Sequence, residues 1–371
     1  MSLSSLRDQL NQIAREETTP DADLARQFLE SPELSTTELL TAAGIPREKH
    51  FGREVRIHIL NNVRNGHCGE DCGYCAQRKT APEDVPAYAD KTETEILAEA
   101  QAAYDSGAFR YCMVTSGRGP GPRSVERYAD LIRKIKSLYP LEVCLSAGIV
   151  TDAALAQELA SAGLDRYNHN LNTSREHYEH ICTTHDYDDR MATLETMQSA
   201  GVALCSGVIA GMGERPHDLV AAALALRERN VPSIPVNFFI PVQGHAVERP
   251  ARLSADYCLR VLALFRLINP RAEIRMAAGR EIHLGDRQSE GLQVANSLFV
   301  SGYLNVRGSD AHTTIRMIRS AGYTIDTQNS DLPAQLEDLL VEAKSESATG
   351  HDTPADVVMK DMAQLRPYQK S

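Results

Sequence analysis

The chain has 371 residues, of which 42% are hydrophobic and 24% charged, a composition typical of soluble globular proteins. Its formal net charge is −11, so no basic excess offsets repulsion from a phosphate backbone, and we expect no nucleic-acid partner. The sequence has no signal-peptide core and no apolar run near the ~18–20 residues that span a bilayer. We therefore expect a cytoplasmic protein, away from membranes, whose eight cysteines stay reduced.

Helix and strand patterns alternate through most of the chain. Residues 1–52 predict a helical extension, in which a helix begins at Asp21. Strands are predicted at 55–60, 109–114, 142–146, 165–170, 203–209, 234–239, 273–276 and 298–301. Amphipathic helices follow them at 93–104, 124–138, 152–162, 187–200, 217–228, 255–267, 290–295 and 312–320. Gly107, Gly163 and Gly201 lie where three of these helices should end.

This alternation predicts an α/β fold with parallel strands and helical crossovers. Eight strand–helix units over residues 53–325 favour closure into a (β/α)8 TIM-type barrel, with an open doubly wound sheet as the alternative. Residues 326–371 predict a polar C-terminal tail that is partly mobile, with one helical patch at 336–343 and a mobile end from residue 345.

Three cysteines follow the first predicted strand in the motif Cys68-Gly-Glu-Asp-Cys72-Gly-Tyr74-Cys75. Three thiolates on one short loop can hold a 4Fe–4S cluster and leave its fourth iron open to a small molecule. A structural zinc site, usually built from two separated ligand pairs, and a thioredoxin-like redox pair are the alternatives. The spacing fits neither alternative well, and loops after barrel strands build active sites, which favours the cluster.

Three more cysteines fall within predicted strands: Cys112, Cys144 and Cys205. Taken singly, each is best explained as a small core residue. In a barrel, however, inward-facing residues of different strands meet at one level. Together with Arg275 on the seventh strand, the three thiols predict a second metal site in the barrel lumen.

The loop motif resembles the signature of the radical S-adenosylmethionine superfamily. In that superfamily the open iron chelates the amino acid part of S-adenosylmethionine, which is reductively cleaved to a 5′-deoxyadenosyl radical. The segments 110–113, 141–144, 204–207 and 274–281, which contain the strand cysteines and Arg275, resemble the biotin synthase family more specifically, as does 167–174. The resemblance extends over about residues 55–325.

The resemblance implies a set of site residues. The catalytic 4Fe–4S cluster would be held by Cys68, Cys72 and Cys75. An auxiliary 2Fe–2S cluster would be held by Cys112, Cys144, Cys205 and Arg275. Contacts to S-adenosylmethionine would come from Tyr74, Asn170, Asn172, Arg190 and Gly211. Contacts to dethiobiotin would come from Asn168 and Asn237. Two cysteines have no ligand counterpart and are expected to be structural: Cys182 and Cys258.

The side-chain chemistry suits two of these roles. A guanidinium fork such as that of Arg190 matches a carboxylate, and the Asn237 amide can both donate and accept, as a cyclic urea requires. Three positions depart from the family pattern: Asn172 stands where aspartate is common, Gly244-His245-Ala246 replaces Gly-Thr-Pro, and the loop 116–120 differs.

The implied reaction is conversion of dethiobiotin to biotin by radical hydrogen abstraction and sulfur insertion. Flavodoxin or ferredoxin would donate the electron, and a homodimer is compatible with the resemblance. One alternative is another radical enzyme on the same barrel, similar to a hydrogenase-cofactor maturase. The other is an iron–sulfur or zinc protein without enzymatic activity.

Overall fold

The computed structural model describes residues 3–80, 85–329 and 357–369. Three helices come first: α1 (Leu3–Glu16), α2 (Ala22–Glu30) and α3 (Thr36–Phe51). Asp21 caps α2 by accepting a hydrogen bond from the Leu24 amide, so the predicted helix start is confirmed. Buried Arg260 of the later helix α9 (Ala255–Ile268) donates to carbonyl oxygens of Phe28 and Leu29 at the end of α2. This arginine satisfies carbonyls that a helix end leaves open, and so ties the N-terminal helices to the barrel.

A closed sheet of parallel strands forms the centre of the protein. Its strands are β1 (Glu54–Arg64), β2 (Arg110–Thr115), β3 (Glu142–Ser146), β4 (Arg166–Asn168), β5 (Ala203–Cys205), β6 (Val208–Ala210), β7 (Ser233–Phe238), β8 (Glu273–Met276), β9 (Ser297–Phe299) and β10 (Thr324–Asp326). β1 pairs with both β2 and β9, which closes the barrel. β5 and β6 both pair with β7 and together occupy the position of the predicted fifth strand. The predicted eight-stranded barrel is therefore confirmed.

β10 was not predicted. It pairs with the first residues of β1, at 54–56, and β9 takes over the pairing from Arg56 onward. Only three residues of β10 pair, so no alternating pattern is long enough to reveal the strand from the sequence.

Helices follow the strands around the barrel, and one more short helix lies in the C-terminal segment. They are α4 (Glu93–Asp105), α5 (Pro122–Leu138), α6 (Ala153–Ser161), α7 (Tyr187–Ser199), α8 (Pro216–Glu228), α9, α10 (Arg280–Leu284), α11 (Gln288–Gly291), α12 (Ala311–Ser320) and α13 (Met362–Leu365). Gly107, Gly163 and Gly201 follow α4, α6 and α7 with positive φ, as predicted. Within the described part of the chain, no helix has both the length and the apolar character to cross a bilayer.

One helix prediction is wrong in position. After β8 the chain forms the short helices α10 and α11, joined by a 3₁₀ turn at Gly285–Arg287, and only residues 290 and 291 of the predicted helix at 290–295 are helical, at the end of α11. Leu292 and Val294 are fully buried in the turn that leads into β9. Their apolar character reflects that burial and not a helical face.

The described part of the C-terminal segment lies against the loop that follows β9. The Arg307 amide donates to the Val358 carbonyl oxygen at 2.8 Å, and the Lys360 amide donates to the Asn305 carbonyl oxygen at 2.7 Å. Arg366 binds both carboxylate oxygens of Glu95 at 3.0 and 2.9 Å. Residues 357–369 therefore join α4 to the 300–308 loop. The helical patch predicted at 336–343 lies outside the described residues.

We expect Arg366→Ala to loosen this segment. The Glu95 side chain is only 4% exposed, and the hydrogen bonds from Arg366 lower its pKa from 4.5 to about 2. The pairing is therefore intact above about pH 4.5 and is lost as the pH falls towards 2. At neutral pH the variant should show faster amide hydrogen exchange at 303–308 and 357–369, because hydrogen bonds to charged groups contribute about 1.5–3 kcal/mol.

Arg123→Ala, at an exposed position on α5, is the matched control and should leave exchange unchanged. Equal exchange in Arg366→Ala and the parent would show that the ion pair does not hold the segment.

Candidate active site

A cavity of about 290 Å³ opens at the end of the barrel where the parallel strands finish. Loops at this end build the active sites of barrel enzymes. The walls of the cavity include cysteines of both predicted groups and the arginine of β8. These residues are Cys68, Cys72, Cys75, Cys112, Cys144 and Arg275. The fold thus brings two groups that are distant in sequence to one space.

Close backbone contacts shape the cysteine loop. The Gly73 amide donates to the Ile181 carbonyl oxygen, and the Ala246 amide donates to the Gly73 carbonyl oxygen, both at 2.8 Å. A Cβ atom at position 73 would lie 3.2 Å from the Ala246 backbone, so the glycine permits this approach. The chain then forms a turn over residues 72–75, in which the Cys75 amide donates to the Cys72 carbonyl oxygen at 3.0 Å.

Asp71, inside the cysteine motif, anchors the loop to residues 182–185. Its carboxylate accepts hydrogen bonds from the backbone amides of Thr183 and Thr184, at 3.0 and 3.2 Å, and from both threonine hydroxyls. Although burial works against the charge, these bonds hold the pKa of Asp71 well below its ordinary value. The loop is therefore fixed by a carboxylate that remains ionised.

Glu70 forms the second anchor. Its carboxylate lies 2.5 Å from His185 Nδ1 and accepts a hydrogen bond from the Thr184 hydroxyl at 2.8 Å. Arg118, from the loop after β2, approaches the same carboxylate at 3.4 Å. These contacts lower the pKa of Glu70 although burial opposes the charge. Both acidic residues between Cys68 and Cys72 thus serve to hold the loop.

The loop thiols fit an iron–sulfur cluster. Cys68 and Cys75 are partly exposed to the cavity and Cys72 is buried, and burial raises the pKa of Cys75 to about 11. A metal centre would displace these thiol protons, because thiolates are the ligand form. Three thiols and no fourth protein ligand on the motif match a cluster that keeps one iron open.

Cys182, which the sequence predicts to be a structural residue, lies close to the loop cysteines. Its sulfur is 3.8 Å from the Cys72 sulfur and 3.3 Å from His185 Nδ1. The contact with Cys72 lowers the pKa of Cys182 and raises that of Cys72. The spacing of the motif gave no sign of this neighbour, which lies 110 residues further along the chain.

The three strand cysteines face the lumen, as predicted. Cys112 and Cys144 are direct partners in the β2–β3 register, and with Cys205 they form a small buried cluster separate from the core between strands and helices. A hydrogen bond from Cys144 lowers the pKa of Cys112 against the effect of burial, and the charge of Arg275 acts in the same direction. This environment favours a thiolate at Cys112. The hydrogen bonds between the thiols raise the pKa of Cys144 and of Cys205.

Arg275 lies beside Cys205 above a buried carboxylate. Its Nη1 is 3.7 Å from the Cys205 sulfur, and its Nη2 donates to Glu273 at 2.6 Å and to the Ser233 hydroxyl at 2.8 Å. Its Nε is buried and has no hydrogen-bond partner among the described residues. An unsatisfied donor beside three lumen thiols fits a site that holds a further group, here a 2Fe–2S cluster.

Glu273 is the counter-ion of this layer. Its two carboxylate oxygens accept hydrogen bonds from Arg110 at 2.9 and 3.1 Å. Burial opposes the charge, but Arg110 and the other cations around it hold the pKa of Glu273 well below its ordinary value. The buried arginines are thereby balanced at the floor of the lumen.

Four of the five residues expected to bind the cofactor lie together. Arg190 donates to the Asn170 carbonyl oxygen at 2.8 Å and to the Tyr74 hydroxyl at 3.1 Å, and the Asn172 amide donates to the same hydroxyl at 2.5 Å. All four line the cavity. Asn172 has a φ of 69°, a left-handed conformation that asparagine tolerates better than most residues.

Gly211 is not among the residues that line the cavity. Its amide donates to the Glu214 carboxylate at 2.7 Å, and a Cβ atom there would lie 3.0 Å from the Leu253 side chain. Its φ of 101° also favours glycine. Local packing accounts for this glycine, and the structure does not bring it together with the other expected cofactor contacts.

The two residues expected to bind substrate both line the cavity. Asn168 donates to the Cys205 sulfur at 3.2 Å. Asn237 donates to the Val208 carbonyl oxygen at 2.9 Å and accepts from the Ala278 amide at 3.1 Å. An amide offers two N–H donors and two acceptor lone pairs, so these contacts leave Asn237 one of each for a ligand.

Several cavity residues were not predicted. His169 is buried, its Nε2 has no hydrogen-bond partner among the described residues, and burial lowers its pKa well below the ordinary value. It lies within 167–174, so that motif could have identified it. Arg118 comes from the loop after β2, Tyr303 and Asn305 come from the loop after β9, and no local pattern marks them.

Comparison with known proteins identifies the family. Residues 63–226 match the radical SAM superfamily, and residues 235–324 match the biotin and thiamin synthesis associated domain. The chain is 50% identical to biotin synthase from Magnetococcus marinus over 307 residues, which are 83% of this chain and 95% of that protein. It is 52% identical to biotin synthase from Leptospira biflexa over 287 residues, 77% of this chain and 81% of that protein. The chain belongs to the biotin synthase family.

Solved structures of more distant proteins share the fold of this biotin synthase family member. Methylornithine synthase superposes with a TM-score of 0.73 at 18% identity, over 89% of this chain and 99% of that one. The FeFe-hydrogenase maturase HydG from Carboxydothermus hydrogenoformans superposes with a TM-score of 0.75 at 15% identity, over 92% and 86%. At these identities the likeness shows a shared fold and nothing about function.

Asp71→Ala should weaken cluster retention without unfolding the barrel. The change removes the acceptor for two backbone amides and two hydroxyls, so the cysteine loop keeps only the Glu70 carboxylate as an anchor to 182–185. Because charge-assisted hydrogen bonds contribute about 1.5–3 kcal/mol each, we expect iron loss to a chelator to accelerate about tenfold or more. Iron per chain, followed over time under anaerobic conditions, measures this.

Asp71→Asn should be milder, since the amide keeps one acceptor oxygen. Asp188→Ala removes an exposed carboxylate from α7 and serves as the control. Iron loss at the parent rate in Asp71→Ala would show that the anchor does not govern the cluster site.

Proposed function

We propose that this chain is a radical S-adenosylmethionine sulfurtransferase that converts dethiobiotin to biotin. The observation that carries the proposal is one cavity whose walls include the three loop cysteines and two of the lumen cysteines, Cys112 and Cys144. A substrate in that cavity contacts a radical source on one side and a sulfur source on the other. Membership in the biotin synthase family supports the same reaction.

Each group of ligands has its own task. We assign the 4Fe–4S cluster to Cys68, Cys72 and Cys75, and the 2Fe–2S cluster to Cys112, Cys144, Cys205 and Arg275. When bound, the first supplies the electron that cleaves S-adenosylmethionine, and the second supplies the sulfur that enters the product. Two hydrogen abstractions from unactivated carbons and two carbon–sulfur bonds then complete the ring of biotin.

The remaining side chains hold the two small molecules. Arg190 would meet the carboxylate of S-adenosylmethionine, next to Tyr74, Asn170 and Asn172. Asn168 and Asn237 would bind the ureido ring of dethiobiotin through their amides. Most of the cavity surface is apolar, with Phe239 and Val242 among its walls. Such a wall excludes water, which protects a carbon radical from side reactions.

The partners follow from the same chemistry. Cleavage of S-adenosylmethionine needs one electron from outside the protein, and we propose flavodoxin or ferredoxin as its donor. Thiolate ligands need a reducing compartment, which supports a cytoplasmic location. We keep a homodimer as a proposal about assembly.

Anaerobic assay of the reconstituted protein tests the function. With dethiobiotin, S-adenosylmethionine and a reductant, the parent should yield biotin and 5′-deoxyadenosine, measured by mass spectrometry. Cys68→Ala should abolish both products and leave the far-ultraviolet circular dichroism unchanged, because Cys68 itself is not part of the apolar core. We expect activity to fall by at least about a hundredfold, since the variant lacks one of three cluster ligands.

Cys258→Ala is the matched control. This cysteine is fully buried on α9 and is not among the cavity residues, so its removal should leave both products. Formation of 5′-deoxyadenosine at the parent rate by Cys68→Ala would overturn the assignment of the loop cluster. Formation of 5′-deoxyadenosine without biotin by the parent would overturn the assigned substrate.

A further inference from the structure

The guanidinium of Arg190 is held by the protein through most of its donors. Nε donates to the Tyr178 hydroxyl, and Nη1 donates to the Asn170 carbonyl oxygen at 2.8 Å. Nη2 donates to the Tyr74 hydroxyl at 3.1 Å and to His185 Nε2 at 2.9 Å. An arginine has five N–H donors, so one N–H on Nη1 remains for a ligand. The four engaged donors determine where that last one points.

His185 can accept from Arg190 in only one protonation form. A guanidinium donates and never accepts, so His185 Nε2 must be unprotonated to take part in the 2.9 Å contact. A neutral imidazole then carries its proton on Nδ1. That proton is donated to the Glu70 carboxylate, whose Oε2 lies 2.5 Å from Nδ1. Glu70 therefore selects the tautomer that Arg190 needs.

The chain of contacts from Glu70 to Arg190 is almost completely shielded from water. Relative exposure is 7% for Glu70, 8% for His185 and 7% for Arg190. Water therefore competes little for these hydrogen bonds, and the imidazole is fixed at both ring nitrogens. Glu70 lies between Cys68 and Cys72, so the chain of contacts begins inside the cysteine loop.

We propose that His185 is a positioning residue for S-adenosylmethionine. Held by Glu70 in the Nδ1-protonated form, it orients the Arg190 guanidinium so that the free N–H on Nη1 meets the cofactor carboxylate. The inference rests on the proposed function, in which Arg190 binds that carboxylate. It adds that the affinity for the cofactor depends on His185 through the hydrogen bond that this residue accepts from Arg190.

Three variants separate this role from simple packing. His185→Ala removes both hydrogen bonds. His185→Gln keeps a donor for Glu70 and an acceptor for Arg190 on one amide. His180→Ala removes an exposed histidine from the same connection between β4 and α7 and is the control.

The measurement is the dissociation constant of S-adenosylmethionine, determined anaerobically by equilibrium dialysis against the cluster-loaded protein. We expect His185→Ala to raise it about three- to tenfold, since one ordinary hydrogen bond to Arg190 is lost. His185→Gln should restore most of the affinity, and His180→Ala should equal the parent. Iron content and the rate of cofactor cleavage at saturation should stay within about twofold of the parent, because Glu70 keeps its contacts with Thr184 and Arg118 and still holds the cysteine loop.

Arg190→Ala in the same series separates the role assigned to Arg190 from the role proposed for His185. Unchanged affinity in Arg190→Ala would overturn the role assigned to Arg190 under the proposed function. Weaker binding in Arg190→Ala with parent affinity in His185→Ala would overturn the positioning role alone. Loss of iron in His185→Ala, or failure of His185→Gln to restore affinity, would also overturn it, because His185 would then act on the loop fold.

Discussion

The arrangement of the barrel interior depends on a buried carboxylate that is paired with two arginines. Glu273 is 2% exposed and binds both Arg110 and Arg275. Breaking such a pair leaves an uncompensated buried charge, which typically costs about 3–5 kcal/mol. The barrel therefore has to keep all three groups together, and in doing so it holds Arg275 against Cys205. These buried charges support the layer above them, which contains the lumen cysteines. The cavity and the cysteine loop lie above that layer.

The opposite end of the cavity depends on a second set of carboxylates. Glu70 and Asp71 attach the cysteine loop to residues 182–185, and that segment leads directly into α7 and Arg190. The loop that would hold the cluster and the arginine that would hold the cofactor are thus parts of one hydrogen-bonded unit. A change in either acidic residue is expected to disturb both binding events, which explains why two carboxylates are placed between metal ligands that are themselves anionic.

Features with a local pattern could be predicted from the sequence. The barrel strands are short apolar runs, the helix ends are marked by glycine, and the loop cysteines follow a characteristic spacing. The lumen site required one further step, since only the closed barrel brings Cys112, Cys144 and Cys205 to one place.

Features made by distant contacts could not be predicted. Asp71 meets its partners more than a hundred residues away, and Cys182 reaches Cys72 in the same manner. The attachment of 357–369 to the 300–308 loop depends on an ion pair between Arg366 and Glu95, which no periodicity reveals. Gly211 remains a prediction without structural support, because a glycine-rich stretch suggested a ligand contact and packing against Leu253 also accounts for the residue.

We assign two separable metal sites to one cavity. The most direct measurement is the Mössbauer spectrum of ⁵⁷Fe-reconstituted Cys144→Ala, combined with analysis of its products. This assignment predicts that the 2Fe–2S signal disappears, the 4Fe–4S signal remains, and 5′-deoxyadenosine forms without biotin, since the two sites share no ligand. Loss of both signals together, or biotin at the parent rate, would contradict it.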